Sequence, residues 1–105
     1  VRLDVEVTVG TGEDIDRVRA VLLEMLIEHP DYLNDPAPTV VLKALNDYNN
    51  LLEVRVWIED ETRHIPERFL LRERVFKTLT AANVDMPLET IALSPIELKD
   101  ARLSG

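Results

Sequence analysis

The two histidines are the first residues to consider for chemistry, because a neutral imidazole binds metal ions and titrates near neutral pH. His29 and His64 lie in different predicted elements, each beside or near a proline, and neither has a second histidine three or four residues away. Metal sites on a helix need ligands at that spacing. We therefore expect neither a metal site nor an acid–base role at these two positions.

Paired carboxylates are the next candidates for acid–base or cation chemistry. Asp14 and Asp16 lie two positions apart, and residues at that spacing do not face each other on a helix. Capping of a helix N-terminus explains them better. Asp31 and Asp35 fall in one loop, but the DxDxDG spacing and the closing glutamate of a calcium loop are missing.

Nucleophiles and phosphate loops are equally poorly represented. The run 10–12 (Gly-Thr-Gly) is too short for a phosphate loop and is followed by acid rather than lysine. Ser94 and Ser104 lie in a weakly patterned tail, and the chain has no cysteine. The sequence therefore predicts no enzyme: no catalytic residue, no cofactor and no metal ligand. We expect elemental analysis of the purified chain to find no stoichiometric zinc or iron.

Composition excludes further classes of function. The 105 residues, 46% of them hydrophobic, suit one domain with a core of Val, Leu and Ile. The formal net charge of −8 repels phosphate backbones, which argues against nucleic-acid binding. Trp57 is the one candidate for stacking on RNA bases, but no run of Lys, Gly and Phe of the kind found in RNA-binding strands surrounds it. No apolar run approaches the roughly 20 residues that span a bilayer. Because the chain begins with a valine inside a patterned segment, we interpret it as part of a longer protein.

Hydrophobic periodicity predicts the elements that would position these residues. Strict alternation marks a strand over 1–9. A helix over 13–29 follows, with Thr11 as its N-cap and one apolar stripe that includes Leu22. Two strands over 39–45 and 51–59, joined by a short turn, should form an antiparallel hairpin.

A second helix is predicted from Pro66 to Ala82. We expect its inward stripe to consist of Phe69, Phe76 and Leu79, with Leu70 and Val75 at the margins, and Asn83 to end it in the left-handed conformation. Residues 63–77 carry 5 basic and 2 acidic side chains, whereas residues 1–62 carry 5 basic and 14 acidic ones. This basic outer face is either an ordinary solvated surface or a docking face for an acidic neighbour.

A short strand over 88–93 completes the predicted order β-α-β-β-α-β. The fold class is therefore α+β and ferredoxin-like, with two helices on one face of an antiparallel or mixed sheet. We assign residues 1–93 to this domain and residues 94–105 to a weakly structured tail.

Several short runs, taken in order, resemble the C-terminal cytoplasmic domain of the small-conductance mechanosensitive channel (MscS) family. They include the strand 4–9 (DVEVTV), the helix start 14–18 (DIDRV), Glu28-His29-Pro30, 35–38 (DPAP) and 54–57 (VRVW), and the resemblance spans roughly residues 3–93. The chain departs from the family pattern at Asn83, where the family usually has glycine, and at 88–89 (Leu-Glu), where it usually has an aromatic residue and proline.

The resemblance implies a function that no single residue shows. It implies a vestibule and oligomerisation domain of a heptameric channel in the inner membrane, cytoplasmic and soluble, whose parent pore opens under membrane tension after osmotic downshift. The domain itself should neither conduct ions nor sense tension. The alternative is a stand-alone ferredoxin-like regulatory domain that binds a small ligand between subunits, and a small ferredoxin-like enzyme is the least favoured.

The sheet face away from the helices is a candidate partner surface. Alternation should bury one set of strand residues under the helices: Val40, Leu42, Ala44, Leu52, Val54, Val56 and Ile58. The opposite set then leaves four apolar side chains outward among Lys43, Glu53 and Arg55: Val41, Leu45, Leu51 and Trp57. We expect Trp57 to be partly exposed in its own chain and covered by another subunit or by an upstream domain, unless a bulge exchanges the faces.

Overall fold

The computed structural model describes residues 1–59 and 63–87. In chain order the elements are β1 (Arg2–Val9), α1 (Ile15–Glu28), β2 (Thr39–Leu45), β3 (Asn50–Trp57) and α2 (His64–Ala81). The predicted strand over 88–93 and the predicted tail over 94–105 lie outside the described residues. Up to α2 the element order confirms the predicted α+β arrangement.

The three strands form one antiparallel sheet in the order β1-β3-β2. The middle strand aligns its buried valines with both neighbours, since Val5 and Val40 each pair with Val54. Side chains on alternate positions of a strand point to opposite faces. One face of the sheet is therefore an apolar floor, and the other carries most of the charged side chains.

Both helices cover the apolar face, as predicted. Helix α1 packs on β2, α2 packs on β1, and the two helices contact each other. The stripe predicted for α1 is confirmed at its centre, where Val18, Leu22 and Leu26 are fully buried. Ile15 and Met25 pack against the core from its margin.

The start of α1 differs from the prediction. Asp14, not Thr11, is the N-cap, and its Oδ1 accepts hydrogen bonds from the backbone N–H groups of Asp16 at 3.0 Å and Arg17 at 3.3 Å. Residues 10–13 instead close a turn, in which the Glu13 N–H donates to the Gly10 carbonyl at 3.1 Å. The N-cap therefore lies three residues further along the chain than predicted, at a side chain whose carboxylate reaches the free N–H groups of the first helical turn.

The buried face of α2 corrects a second prediction. The helix buries Glu67, Leu71, Val75 and Leu79. Phe69 is 61% exposed and Phe76 is 59% exposed, so neither belongs to the inward stripe. Apolar residues are distributed around much of the circumference of α2. Periodicity within the helix alone therefore did not show which side faces the core.

The end of α2 confirms the left-handed prediction for Asn83, whose φ is 59°. The Asn83 N–H donates to the Thr80 carbonyl at 3.1 Å, and the Val84 N–H donates to the Leu79 carbonyl at 3.0 Å. These two bonds are the pair of a Schellman motif, which satisfies the last carbonyls of a helix.

We expect Asn83→Ala to lower the free energy of unfolding by about 1 kcal/mol, because a β-carbon without a local polar group disfavours the left-handed conformation. Asn83→Gly is the matched control and should be as stable as the parent chain or slightly more so. Urea unfolding of both variants measures the difference, and equal losses for Ala and Gly would contradict the backbone explanation.

Candidate interaction site

The two histidines considered for chemistry lie in different surroundings. The Nδ1 atom of His29 accepts a hydrogen bond from the Asp31 backbone N–H at 3.1 Å, and the imidazole contacts the Tyr32 ring at a centroid distance of 4.9 Å. His64 is exposed in the first turn of α2. Within residues 1–59 and 63–87, no group of three or more His, Asp or Glu side chains is arranged to hold a metal ion.

The four candidate aspartates differ in the contacts that they make. Asp14 caps α1, and Asp16 accepts a hydrogen bond from Arg19 at 3.2 Å. Asp31 lies 3.6 Å from an Arg74 nitrogen of α2, and Asp35 is exposed in the loop before β2. Capping and ion pairing thus account for Asp14, Asp16 and Asp31.

A buried polar cluster joins this loop to α2. The Arg74 Nη1 atom donates to the Tyr32 hydroxyl at 2.6 Å and lies 3.8 Å from Oε1 of Glu67. Oε2 of Glu67 accepts a hydrogen bond from Arg63. Burial raises the pKa of Tyr32, against the opposing effect of Arg74. Sequence reasoning missed this cluster because a glutamate one turn before an apolar stripe normally indicates the solvent side of a helix.

The outer face of the sheet carries a network of ion pairs. Glu6 and Glu53 lie directly opposite each other on β1 and β3, where two like charges destabilise a sheet. The Lys43 ammonium lies between them, 2.6 Å from Glu6 and 3.3 Å from Glu53. Arg55 donates a further hydrogen bond to Glu53 at 2.7 Å.

A β-bulge places Lys43 in that position. The pairing of β2 with β3 shifts between Leu42 and Ala44, so that Leu42 pairs with Leu52 whereas Ala44 pairs with Leu51. The extra residue of a bulge changes the direction of a side chain and exchanges the faces beyond it. The predicted face assignments of Ala44 and Leu45 are therefore wrong, and those before the bulge are confirmed.

The ion pairs of this network stabilise the charged form of the Glu53 side chain. The Arg55 hydrogen bond, and after it the Lys43 hydrogen bond, lowers the pKa of Glu53 below the ordinary 4.5, although burial opposes the shift. Hydrogen bonds from Glu6 and then Glu53 raise the pKa of Lys43 above 10.5. The face is thus internally neutralised at neutral pH.

A pH-dependent loss of stability follows from Glu53. Because its pKa is lower in the folded than in the unfolded chain, its contribution is fully present above pH 4.5 and is lost as the pH falls through the folded value. We expect Glu53→Gln to cost about 1 kcal/mol at pH 7 and less as the solution is acidified. Urea unfolding of both chains across this range provides the measurement, and a difference that grows with acidification would contradict the assignment.

Trp57 lies at the end of this face, opposite Arg2 of β1. Its side chain is partly exposed, as predicted, and so are those of Val41 and Leu51. Leu45 is 72% exposed, but it lies beyond the bulge. The outer sheet face therefore combines a few apolar side chains with paired charges, which is typical of a partner surface rather than of a catalytic site.

A second exposed surface follows the solvent side of α2, where sequence reasoning predicted a basic face but missed the exposed apolar side chains. Its large side chains are Ile65, Phe69 and Phe76, each more than half exposed. A shallow depression of about 210 Å³ lies beside Ile65 and Phe69, lined in part by Arg68 and Arg72. The signal was present in the sequence as apolar residues beyond the number that one helix face can bury.

Comparison with known proteins identifies the family. The family described as "Mechanosensitive ion channel MscS, C-terminal" matches residues 1–86. An MscS family protein of Synechocystis sp. (strain ATCC 27184 / PCC 6803 / Kazusa) is 31% identical over 86 residues, which are 82% of this chain and 29% of that protein. The chain therefore spans less than a third of the length of this relative. No helix within the described residues is long and apolar enough to cross a bilayer.

Solved channel structures share the fold. Helicobacter pylori MscS in its closed state superposes with a TM-score of 0.76 at 20% identity, over 86% of this chain and 36% of the channel chain. Arabidopsis thaliana MSL1 gives a TM-score of 0.69 at 14% identity, over 84% of this chain and 34% of the other. Fold and family profile agree: the chain belongs to the MscS mechanosensitive channel family and corresponds to its C-terminal domain.

Proposed function

We propose that this chain is the cytoplasmic vestibule and oligomerisation domain of a channel in the inner membrane that membrane tension opens after osmotic downshift. The family match over residues 1–86 carries this proposal. The parent assembly is a heptamer, as the family resemblance implies. In this role the domain catalyses no reaction, and it neither conducts ions nor senses tension without the membrane helices of the parent protein.

The described surfaces support a role in assembly. The paired charges of the outer sheet face and the apolar side of α2 are both suited to contact with other protein surfaces. By contrast, four of the polar side chains singled out for chemistry take part in a cap, a turn or ion pairs: Asp14, Asp16, His29 and Asp31.

A domain exchange tests the function. Residues 1–86 would replace the matching domain of Helicobacter pylori MscS, and excised membrane patches would be stretched under voltage clamp. We expect tension-activated currents from the chimera and none from the same channel lacking the domain. A chimera that reaches the membrane as an assembled oligomer but never opens under tension would refute the vestibule role of this chain.

Quenching of Trp57, the only tryptophan, tests whether the outer sheet face is a contact surface. Because the side chain is partly exposed, we expect iodide to quench the fluorescence of the isolated monomeric chain. In the chimera, the same probe requires a background without other tryptophans, and there we expect quenching to decrease as a neighbouring surface covers Trp57. Equal quenching in the two states would show that the outer face stays in water.

A further inference from the structure

The solvent side of α2 exposes more apolar surface than the helix needs for its own fold. Ile65 is 58% exposed, Phe69 is 61% exposed and Phe76 is 59% exposed. These positions lie on one side of the helix, opposite the buried Leu71 and Val75. Neighbouring large apolar side chains in water indicate a surface that another protein covers.

Two unpaired guanidinium groups lie along the same side. Among the Lys and Arg residues of 1–59 and 63–87, only Arg68 and Arg72 have no carboxylate within ion-pair distance. They are one helical turn apart and flank Phe69. The chain otherwise carries a large excess of acid. A partner for this surface should therefore present carboxylates around an apolar side chain.

The solvent side of α1 presents that complement. Glu24 and Glu28 are exposed, lie one turn apart, and make no ion pair within the described part of the chain. Between them lies Ile27, which is 54% exposed. Side chains four residues apart on a helix have Cβ atoms about 5–6 Å apart, so the two carboxylates and the two guanidinium groups have the same spacing.

Within one copy the two surfaces lie on different helices. Helix α1 packs on β2 and α2 packs on β1, and these strands are the two edges of the sheet. A contact in which α2 of one copy meets α1 of the next, with each copy offering one surface to each neighbour, is head-to-tail, the geometry that builds rings when the rotation closes. Contact of α2 with α2 would instead bring four unpaired guanidinium groups together.

We propose that α2 of one copy packs against α1 of a second copy, with Arg68 and Arg72 pairing with Glu24 and Glu28 and with Phe69 covering Ile27. This contact rests on the self-association in the proposed function and names the two surfaces that make it. The contact is heterologous, and each copy uses both surfaces.

Disulfide trapping tests the pairing directly, because the chain has no cysteine of its own. Ile27→Cys and Phe69→Cys would be introduced in separate copies, mixed and oxidised. We expect the 27–69 disulfide to form in clear excess over both 27–27 and 69–69. A statistical mixture of the three products, or an excess of 69–69, would overturn the proposal. Leu45→Cys, at a position 72% exposed outside both surfaces, is the control and should pair at random.

Charge reversal separates this contact from a symmetric one. Either Arg68→Glu with Arg72→Glu, or Glu24→Arg with Glu28→Arg, should reduce the yield of the 27–69 disulfide about tenfold. Carrying all four changes in every copy should restore the yield. If Glu24→Arg with Glu28→Arg left trapping unchanged, α1 would not be the partner and the proposal would fail.

The outcomes also separate this contact from the vestibule role. Random trapping in a chain whose chimera still conducts would remove the α1–α2 contact and leave the function. Specific trapping in a chain whose chimera never opens would keep the contact and remove the function. Circular dichroism of each variant verifies that the charge changes leave the fold intact.

Discussion

Replacing Leu22 by alanine should lower the free energy of unfolding by about 2–5 kcal/mol. Leu22 is fully buried at the centre of the apolar stripe of α1. Truncating a buried leucine loses its transfer free energy and leaves a cavity that the close-packed surroundings fill only in part. A domain of this size has a total stability of only about 5–15 kcal/mol, so the variant should unfold at a much lower urea concentration.

Ile27→Ala provides the matched control on the same helix. Ile27 is 54% exposed, and surface substitutions of this kind usually change stability by less than about 0.5 kcal/mol. Urea unfolding of both variants, monitored by circular dichroism, gives the comparison. A loss below about 1 kcal/mol for Leu22→Ala would mean that the stripe of α1 does not face the core.

The second large effect is expected for Arg74→Met, which should lower the free energy of unfolding by about 2–3 kcal/mol. The substitution keeps the aliphatic length but removes the hydrogen bond to the buried Tyr32 hydroxyl and the positive charge near Glu67. Glu67 is only 3% exposed, and its Oε1 atom makes no hydrogen bond within the described residues. A buried polar group that loses its partner retains the full cost of its desolvation.

Arg72→Met, two residues earlier on α2, is the control for Arg74→Met. Arg72 is exposed and makes no ion pair in the part of the chain that the structure describes, so its replacement should change the stability of the monomer by less than about 0.5 kcal/mol. Adding Tyr32→Phe to Arg74→Met should cost less than the sum of the single changes, because they remove the same hydrogen bond. Strict additivity would show that this bond contributes nothing.

The sequence by itself determined the elements whose patterns are local. Alternation located all three described strands, and the bounds of β2 agree with the prediction at both ends. The stripe of α1 was predictable because most of its apolar residues, including the buried Val18, Leu22 and Leu26, recur on one side of the helix. Asn83 was predictable because few residue types other than glycine adopt a positive φ at low cost. The short runs that resemble the MscS family were also readable in the sequence, and the family match over residues 1–86 confirms them.

Tertiary structure decided which side of α2 faces the core, since apolar residues surround much of that helix. The loop after α1 brings Tyr32 and Asp31 against Arg74, and a buried Glu67 is acceptable only where Arg63 and Arg74 lie beside it. Similarly, the bulge at Lys43 places an ammonium group between Glu6 and Glu53. These two carboxylates become neighbours only when β1 pairs with β3. Both features depend on contacts between residues far apart in the chain, which periodicity within one element does not contain.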